Sequence, residues 1–288
     1  MRWRGRQQSQ NVDDRRGQSG GRGRGGRVAM GGGIGAIIMA LIAIFVFGQD
    51  PMQVLSQTMS QRQSPSSGPV QSIPRSAEED EAAQFVSVVL RDTESVWSDI
   101  FAANGSRYTP PTLVLFTGST DTACGYGSAA TGPFYCPADQ NVYIDLSFFA
   151  QLQRMGGRGD FAVAYVIAHE VGHHVQTITG TSRQVRAAQA RASKAQQNAL
   201  NVRMELQADC FAGVWASLAD EKYGTLEPGD VEEAMSAAAA VGDDTIQRSA
   251  GRAVRPETWT HGSSEDRMKW FQRGFQSGSI NQCDTFGS

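Results

Sequence analysis

His169-Glu170-Val171-Gly172-His173-His174 is the stretch on which the reading of this chain turns. Its first five residues spell H-E-x-x-H. In an α-helix, residues four apart lie about 40° apart around the axis, so His169 and His173 project from one face and can share an ion. Glu170 stands just beside that face, able to reach a water on the ion without being a ligand. Two imidazoles, an open coordination position and a neighbouring carboxylate are the parts that metal-assisted hydrolysis of a peptide bond requires. His174 points about 100° away from His173 and reads as structural. The chain has only four histidines and three fall in this run, which speaks against coincidence.

The flanking residues predict a helix. Asp160 suits an N-cap, Val163, Ile167, Val171 and Val175 recur every four residues as a core stripe roughly opposite the two ligands, and Gly180 is a stop. A second cluster follows in Met204-Glu205-Leu206-Gln207-Ala208-Asp209-Cys210-Phe211-Ala212-Gly213. Glu205 and Asp209 are again four apart. Zinc in such a site needs a third protein ligand, commonly a carboxylate, and Glu205 can supply it. Asp209, one turn on, can accept the second ring N–H of a ligand histidine and fix its tautomer. Taken alone, the pair would read as an exposed acidic face. Behind an H-E-x-x-H it reads as part of the metal site.

H-E-x-x-H followed by a helix bearing E-x-x-x-D resembles the gluzincin metalloproteases. More closely, the chain resembles the bacterial neutral zinc metallopeptidase family, the YpfJ-like group. The residues that carry this are Ala123-Cys124-Gly125, Gly132-Pro133-Phe134-Tyr135-Cys136-Pro137, Val142-Tyr143-Ile144-Asp145-Leu146, His169 to His174, Glu205 to Asp209 and Cys283-Asp284-Thr285-Phe286. The resemblance covers about residues 80 to 288 and the N-terminal anchor. It implies zinc and peptidase chemistry without naming a substrate. In that clan an edge strand beside the motif helix pairs with extended substrate. The segment 141–146 is a candidate for that role, or an ordinary core strand.

The N-terminal quarter has a different composition. Residues 1–27 are rich in Gly, Arg, Gln and Ser, with arginine at 2, 4, 6, 15, 16, 22, 24 and 27 against Asp13 and Asp14. This predicts a disordered basic tail. Val28 to Gly48 follows without a charge and is long enough to span a bilayer core. The arginine excess before it predicts one uncleaved span in the cell (inner) membrane. The N-terminus is then cytoplasmic and the remainder periplasmic or extracellular. Residues 49–77, with Gln61, Gln63, Ser64, Pro65, Ser66, Ser67, Gly68 and Pro69, read as a flexible linker. Residues 78–288 are then the metallopeptidase domain. Beyond the tail, 18 Lys and Arg face 27 Asp and Glu, which argues against nucleic acid as a partner. The expected partners are a peptide or protein substrate and, through residues 28–48, the lipid bilayer.

Within the domain the patterning predicts an amphipathic helix over 78–103, a buried strand over 112–116 and an alternating strand over 141–146. The motif helix follows, then a polar helix over 182–201, the Glu205 helix, an Ala-rich helix near 231–241 and a last helix over 264–277. The predicted class is α+β: a zincin-like, mostly helical body with a small sheet, preceded by one transmembrane helix. Four cysteines fit an oxidising compartment. They allow three connectivities, and sequence alone does not choose. Cys124 with Cys136 and Cys210 with Cys283 is preferred because the first two are local to each other. Their spacings match no zinc-ribbon pattern.

The expected function is membrane-anchored peptide-bond hydrolysis. One zinc per chain is held by His169, His173 and Glu205, and a zinc-activated water reacts with Glu170 as general base. The alternative is a non-catalytic envelope binding or adaptor module that zinc merely stabilises. Thr260-His261-Gly262-Ser263-Ser264 precedes the last helix, whose N-cap is Ser263 or Ser264, with Arg267 in its first turn. Membrane-linked gluzincins of the CAAX-protease type carry a similar Thr-His-Pro-Ser segment with an arginine six positions after the histidine. That resemblance implies that His261 acts on the oxyanion and that Arg267 belongs to the site. Arg267 can instead pair with a carboxylate such as Asp209. Gly262 stands where the family has proline, which puts the loop geometry in question.

Overall fold

The computed structural model describes residues 1–17 and 76–287. Along these the chain runs β1 (Val12–Asp14), α1 (Ala77–Ala103), β2 (Thr112–Phe116), β3 (Ser119–Thr122), β4 (Gly125–Ser128), β5 (Phe134–Cys136) and β6 (Asn141–Asp145). It continues through α2 (Phe148–Met155), α3 (Asp160–Ile178), α4 (Thr181–Gln189), α5 (Lys194–Tyr223), α6 (Asp230–Ala240), α7 (Asp243–Ser249) and α8 (Ser264–Ser277). The class is α+β, mostly helical with a small sheet.

The sheet has the order β1-β2-β6-β5. β1 and β6 run parallel to β2, and β5 is antiparallel to β6. The segment 141–146 is therefore not an edge: β6 lies between β2 and β5, buried from Val142 to Asp145. The antiparallel edge beside the motif helix is β5, which the three residues of Phe134–Cys136 gave too little periodicity to predict. β3 and β4 form a separate hairpin.

Local chemistry sets the helix boundaries. α1 opens with a capping box in which Ser76 Oγ accepts from Glu79 N and Glu79 Oε2 accepts from Ser76 N. The polar stretch 182–201 is not one helix. It breaks after Gln189, and Ser193 starts α5 with a second capping box to Gln196, so a single 30-residue helix carries Glu205, Asp209 and Cys210. The signal was present as Ser-x-x-Gln, but the run of helix formers around it hid the break. Asp160 is the first helical residue of α3 rather than its N-cap, which is Gly159 with φ 83°. Its carboxylate still sits where a helix N-terminus favours negative charge. Ser263 is the N-cap of α8.

Residues 1–17 correct the expectation of a disordered tail. Met1 and Trp3 are buried, with the Trp3 ring edge-on to Phe85 at 5.4 Å. β1 pairs Val12 with Leu113 through Asp14 with Leu115. Averaging composition over 27 residues concealed these few anchoring side chains among the Gly and Arg. Residues 18–27, the apolar run 28–48 and the linker up to residue 75 lie outside the described residues. No helix among the described residues is long and apolar enough to cross a membrane.

The core gathers around α3, whose residues Phe161 to Gly172 are all buried. α3 packs on α1, α5 and α6 and touches β5 and β6. An all-round buried helix is what its run of small and branched apolar residues dictates.

Candidate metal centre

Glycines let the helices close on one another. A Cβ on Gly172, inside the H-E-x-x-H run, would stand 3.1 Å from both Cα and O of Ala208. This brings the α5 backbone against α3 between Glu205 and Asp209. α5 and α8 cross just as closely. A Cβ on Gly213 would overlap the Phe271 carbonyl, and one on Gly274 the Cys210 carbonyl. Disulfides join Cys210 to Cys283 and Cys124 to Cys136. The first ties the chain beyond α8 back to α5.

This packing brings together His169, His173 and Glu205, whose candidate ligand atoms all lie within 4.8 Å of one another. Nε2 of His169 is 3.1 Å from Glu205 Oε2, and Nε2 of His173 is 3.4 Å from Oε1. The outer nitrogens are engaged elsewhere. His169 Nδ1 is 2.7 Å from Asp209 Oδ1, and His173 Nδ1 is 2.9 Å from Gln176 Oε1. Each ring thus donates its Nδ1–H outward and turns its Nε2 towards Glu205. Two imidazole nitrogens and a carboxylate oxygen are a zinc donor set, and these residues fit that ion. Burial opposes a charged imidazole at His169, yet Asp209 and Glu205 push its pKa up to about 9. Burial likewise opposes a charged Glu205, but His173 and His169 hold that carboxyl well below its usual range. The pocket is built to keep a positive charge.

Asp209 is fully buried under His169. Its carboxylate accepts from the Tyr165 hydroxyl at 2.5 Å and from Arg267 at both oxygens, Nε at 2.8 Å and a terminal nitrogen at 2.9 Å. Burial would raise its pKa, but Arg267 and His169 lower it on balance. Arg267 therefore stands behind His169, locked to Asp209. Tyr165 was missed from the sequence although it lies one turn before His169 on the same face, the position from which a hydroxyl can reach the carboxylate beneath the ring.

Glu170 is 8 % exposed, and burial raises its pKa against the opposing pull of His173 and His169. His261 lies on the loop between α7 and α8. Its Nδ1 is 3.3 Å from Asp243 Oδ1 and 3.1 Å from Thr260 Oγ1. The other Asp243 oxygen accepts the backbone N–H groups of Thr260, His261 and Gly262 at 2.7, 2.7 and 3.0 Å. Burial would depress the His261 pKa, but Asp243 and the nearby Glu205 carboxylate raise it on balance. Gly262 has φ 98°, and a Cβ there would meet Val202 Cγ1 at 3.2 Å and Leu206 Cδ2 at 3.5 Å. Proline cannot adopt that φ, so this loop differs in backbone from the Thr-His-Pro-Ser form. The glycine also lets it lie on α5 beside Glu205. Asp243 was not singled out from the sequence. Gly242-Asp243-Asp244 at a helix start is a common pattern, and nothing in it points to a residue 18 positions on.

A family model described as "Putative neutral zinc metallopeptidase" matches residues 1–286. The chain belongs to this family. A protein of Escherichia coli K12, named only as the uncharacterized protein YpfJ, is 50% identical across 100% of this chain and 99% of its own length. An uncharacterized protein of Mycobacterium tuberculosis H37Rv is 45% identical over 207 residues, 68% of this chain and 67% of that one. No solved structure matches.

Beside the candidate metal residues of this family member runs β5. Tyr135 on β5 places its hydroxyl 3.2 Å from Nδ1 of His174, whose Nε2 donates to the Thr109 carbonyl at 2.7 Å. His174 is fully buried and burial lowers its pKa. It fastens the sheet to the motif helix and faces away from Glu205. The Cys124–Cys136 bond fixes the β3–β4 hairpin to the end of β5, and Asp139 accepts from Ala123 N and the Tyr143 hydroxyl.

Proposed function

We propose that this chain is a zinc-dependent peptidase with a zincin-type site, carrying one zinc per chain on His169, His173 and Glu205. One observation supports this most directly. The described residues bring three candidate ligands together beside Glu170, and the His173 and Glu205 side chains remain 18% and 17% exposed. A structural zinc is closed by four protein ligands, whereas a catalytic one keeps a position open. This favours an enzyme over a zinc-stabilised adaptor.

When bound, zinc supplies Lewis-acid polarisation of a peptide carbonyl and lowers the pKa of a water. Glu170 takes the proton of the attacking water and passes it to the departing amine. A carboxyl raised by burial is suited to both halves of that task. His261, oriented by Asp243 through Nδ1, offers Nε2–H to the developing oxyanion. Arg267, Tyr165 and Asp209 hold His169 in the tautomer that presents Nε2. The outer edge of β5 offers backbone groups to an extended peptide. The two disulfides support an envelope location, with the site facing the periplasm or the exterior.

Glu170→Gln tests the reading. It should keep zinc, measured by metal analysis of the purified protein, and cut hydrolysis of a quenched-peptide library by about 10²–10⁴-fold. Glu205→Ala should lose zinc as well. Cleavage by Glu170→Gln at near the wild-type rate would remove Glu170 from the chemistry.

A further inference from the structure

The first seventeen residues are a working part of the domain that holds the metal residues. β1 extends the sheet along β2, with Leu113 N donating to the Asn11 carbonyl and Arg15 N to that of Leu115, both at 2.8 Å. Trp3 fills the core beside Phe85. The arm also partners two buried carboxylates of α1. Arg6 meets Asp92 at 2.7 Å while lying over the Tyr223 ring, and Ser9 and Asn11 donate to Glu94 at 2.5 and 2.8 Å. Asp92 and Glu94 are only 3 % and 5 % exposed. Without the arm, two acids would sit in the protein without those donors. The hydrogen-bonding edge of Leu113–Leu115 would lie open, and the Trp3 site would be vacated.

Between this arm and Ser76 lies the charge-free run 28–48. A single crossing by such a run separates its two flanks by a hydrocarbon layer about 30 Å thick. Two parts of one sheet cannot be so separated. We propose that residues 1–17 and residues 76–287 occupy the same side of the membrane. This inference rests on the packing of the arm and not on the peptidase reading, so inactivity of the enzyme would leave it standing.

The test uses the full-length chain in bacterial cells. Gln8→Cys places a thiol on the exposed face of the arm, and Gln272→Cys does so on the exposed face of α8. Spheroplasts are treated with a membrane-impermeant maleimide before or after lysis, with the wild-type chain as background. The two positions should behave alike, both labelled or both protected in intact spheroplasts. Labelling of one with protection of the other would overturn the proposal. A second measurement asks whether the arm is docked. Arg6→Glu should lower the Tm of the full-length protein by several degrees, and Arg6→Lys should recover part of that loss. A Tm unmoved by Arg6→Glu would place the arm away from the domain and equally overturn the proposal.

Discussion

Two histidines of this site are each held by an aspartate, and the two pairs are built for opposite ends. His169 rests on Asp209 at 2.7 Å, and Asp209 is also saturated by Tyr165 and both arms of the Arg267 fork. His261 meets Asp243 at 3.3 Å, and Asp243 spends its other oxygen on three successive backbone N–H groups. In the first pair the Nδ1–H goes to the carboxylate so that Nε2 is left facing Glu205. Arg267 offsets only part of the carboxylate's charge, and Asp209 with Glu205 still raises the His169 pKa to about 9, so a metal at Nε2 would displace a proton. In the second the aspartate is held by backbone N–H groups, and the carboxylate favours the protonated ring, whose Nε2 is then a donor. In the proposed reading one aspartate orients a metal ligand and the other orients an acid. The difference lies in what the outward nitrogen faces, since His169 Nε2 is 3.1 Å from Glu205 Oε2 beside His173.

The largest test of this contrast is Asp209→Ala. It strands a buried guanidinium, which costs about 3–5 kcal/mol when one partner of a buried pair is removed. It also frees the His169 ring, so zinc affinity should fall by about 10–100-fold. Thermal unfolding and a competitive chelator titration read the two effects. An unchanged melting temperature would mean that Arg267 finds another partner. His261→Ala should do the reverse, with zinc content and melting temperature nearly unchanged. Its kcat should fall by about 10²–10³-fold, as when one oxyanion donor is removed. Loss of zinc in this variant would make His261 a ligand and erase the contrast.

The smallest effect is a shift in pH. Asp243 raises the His261 pKa, so the protonated, donating ring persists to higher pH and activity declines as pH rises through that value. Asp243→Asn weakens the upward pull while keeping a hydrogen-bonding side chain. The alkaline limb of kcat/KM should therefore move to lower pH. A limb that stays in place, or moves up, would assign it to another group.

The ligand side of this contrast was legible in the sequence and the acid side only in part. His169, His173, Glu205 and Asp209 sit on two helices at spacings of four, and helical geometry turns such spacings into a common face. Tyr165 obeys the same rule and could have been added. Asp243 could not, because a loop with φ 98° at Gly262 joins it to His261 and no periodicity runs through a loop. The long helices around the core were readable from their apolar periods, whereas the capping boxes at Ser76 and Ser193 went unread. The edge β5 was not, because three residues carry too short a period. The arm was hidden for a related reason: β1 has no partner near it in sequence, and its stability comes from residues about a hundred positions further on.

That distance has a consequence for how the molecule assembles. Val12 pairs with Leu113, whereas the contacts of α3 with its neighbouring helices close shorter loops. The entropy of loop closure grows with the length enclosed, and pairings distant in sequence are the slow ones. The arm is made before the strand it pairs with and should be among the last elements to settle. Until it does, Leu113–Leu115 present an unpaired strand edge to every other chain in the vicinity. The interval before docking is when this protein is most exposed to edge-to-edge association. Preparations that remove the N-terminal segment to improve solubility would make that interval permanent.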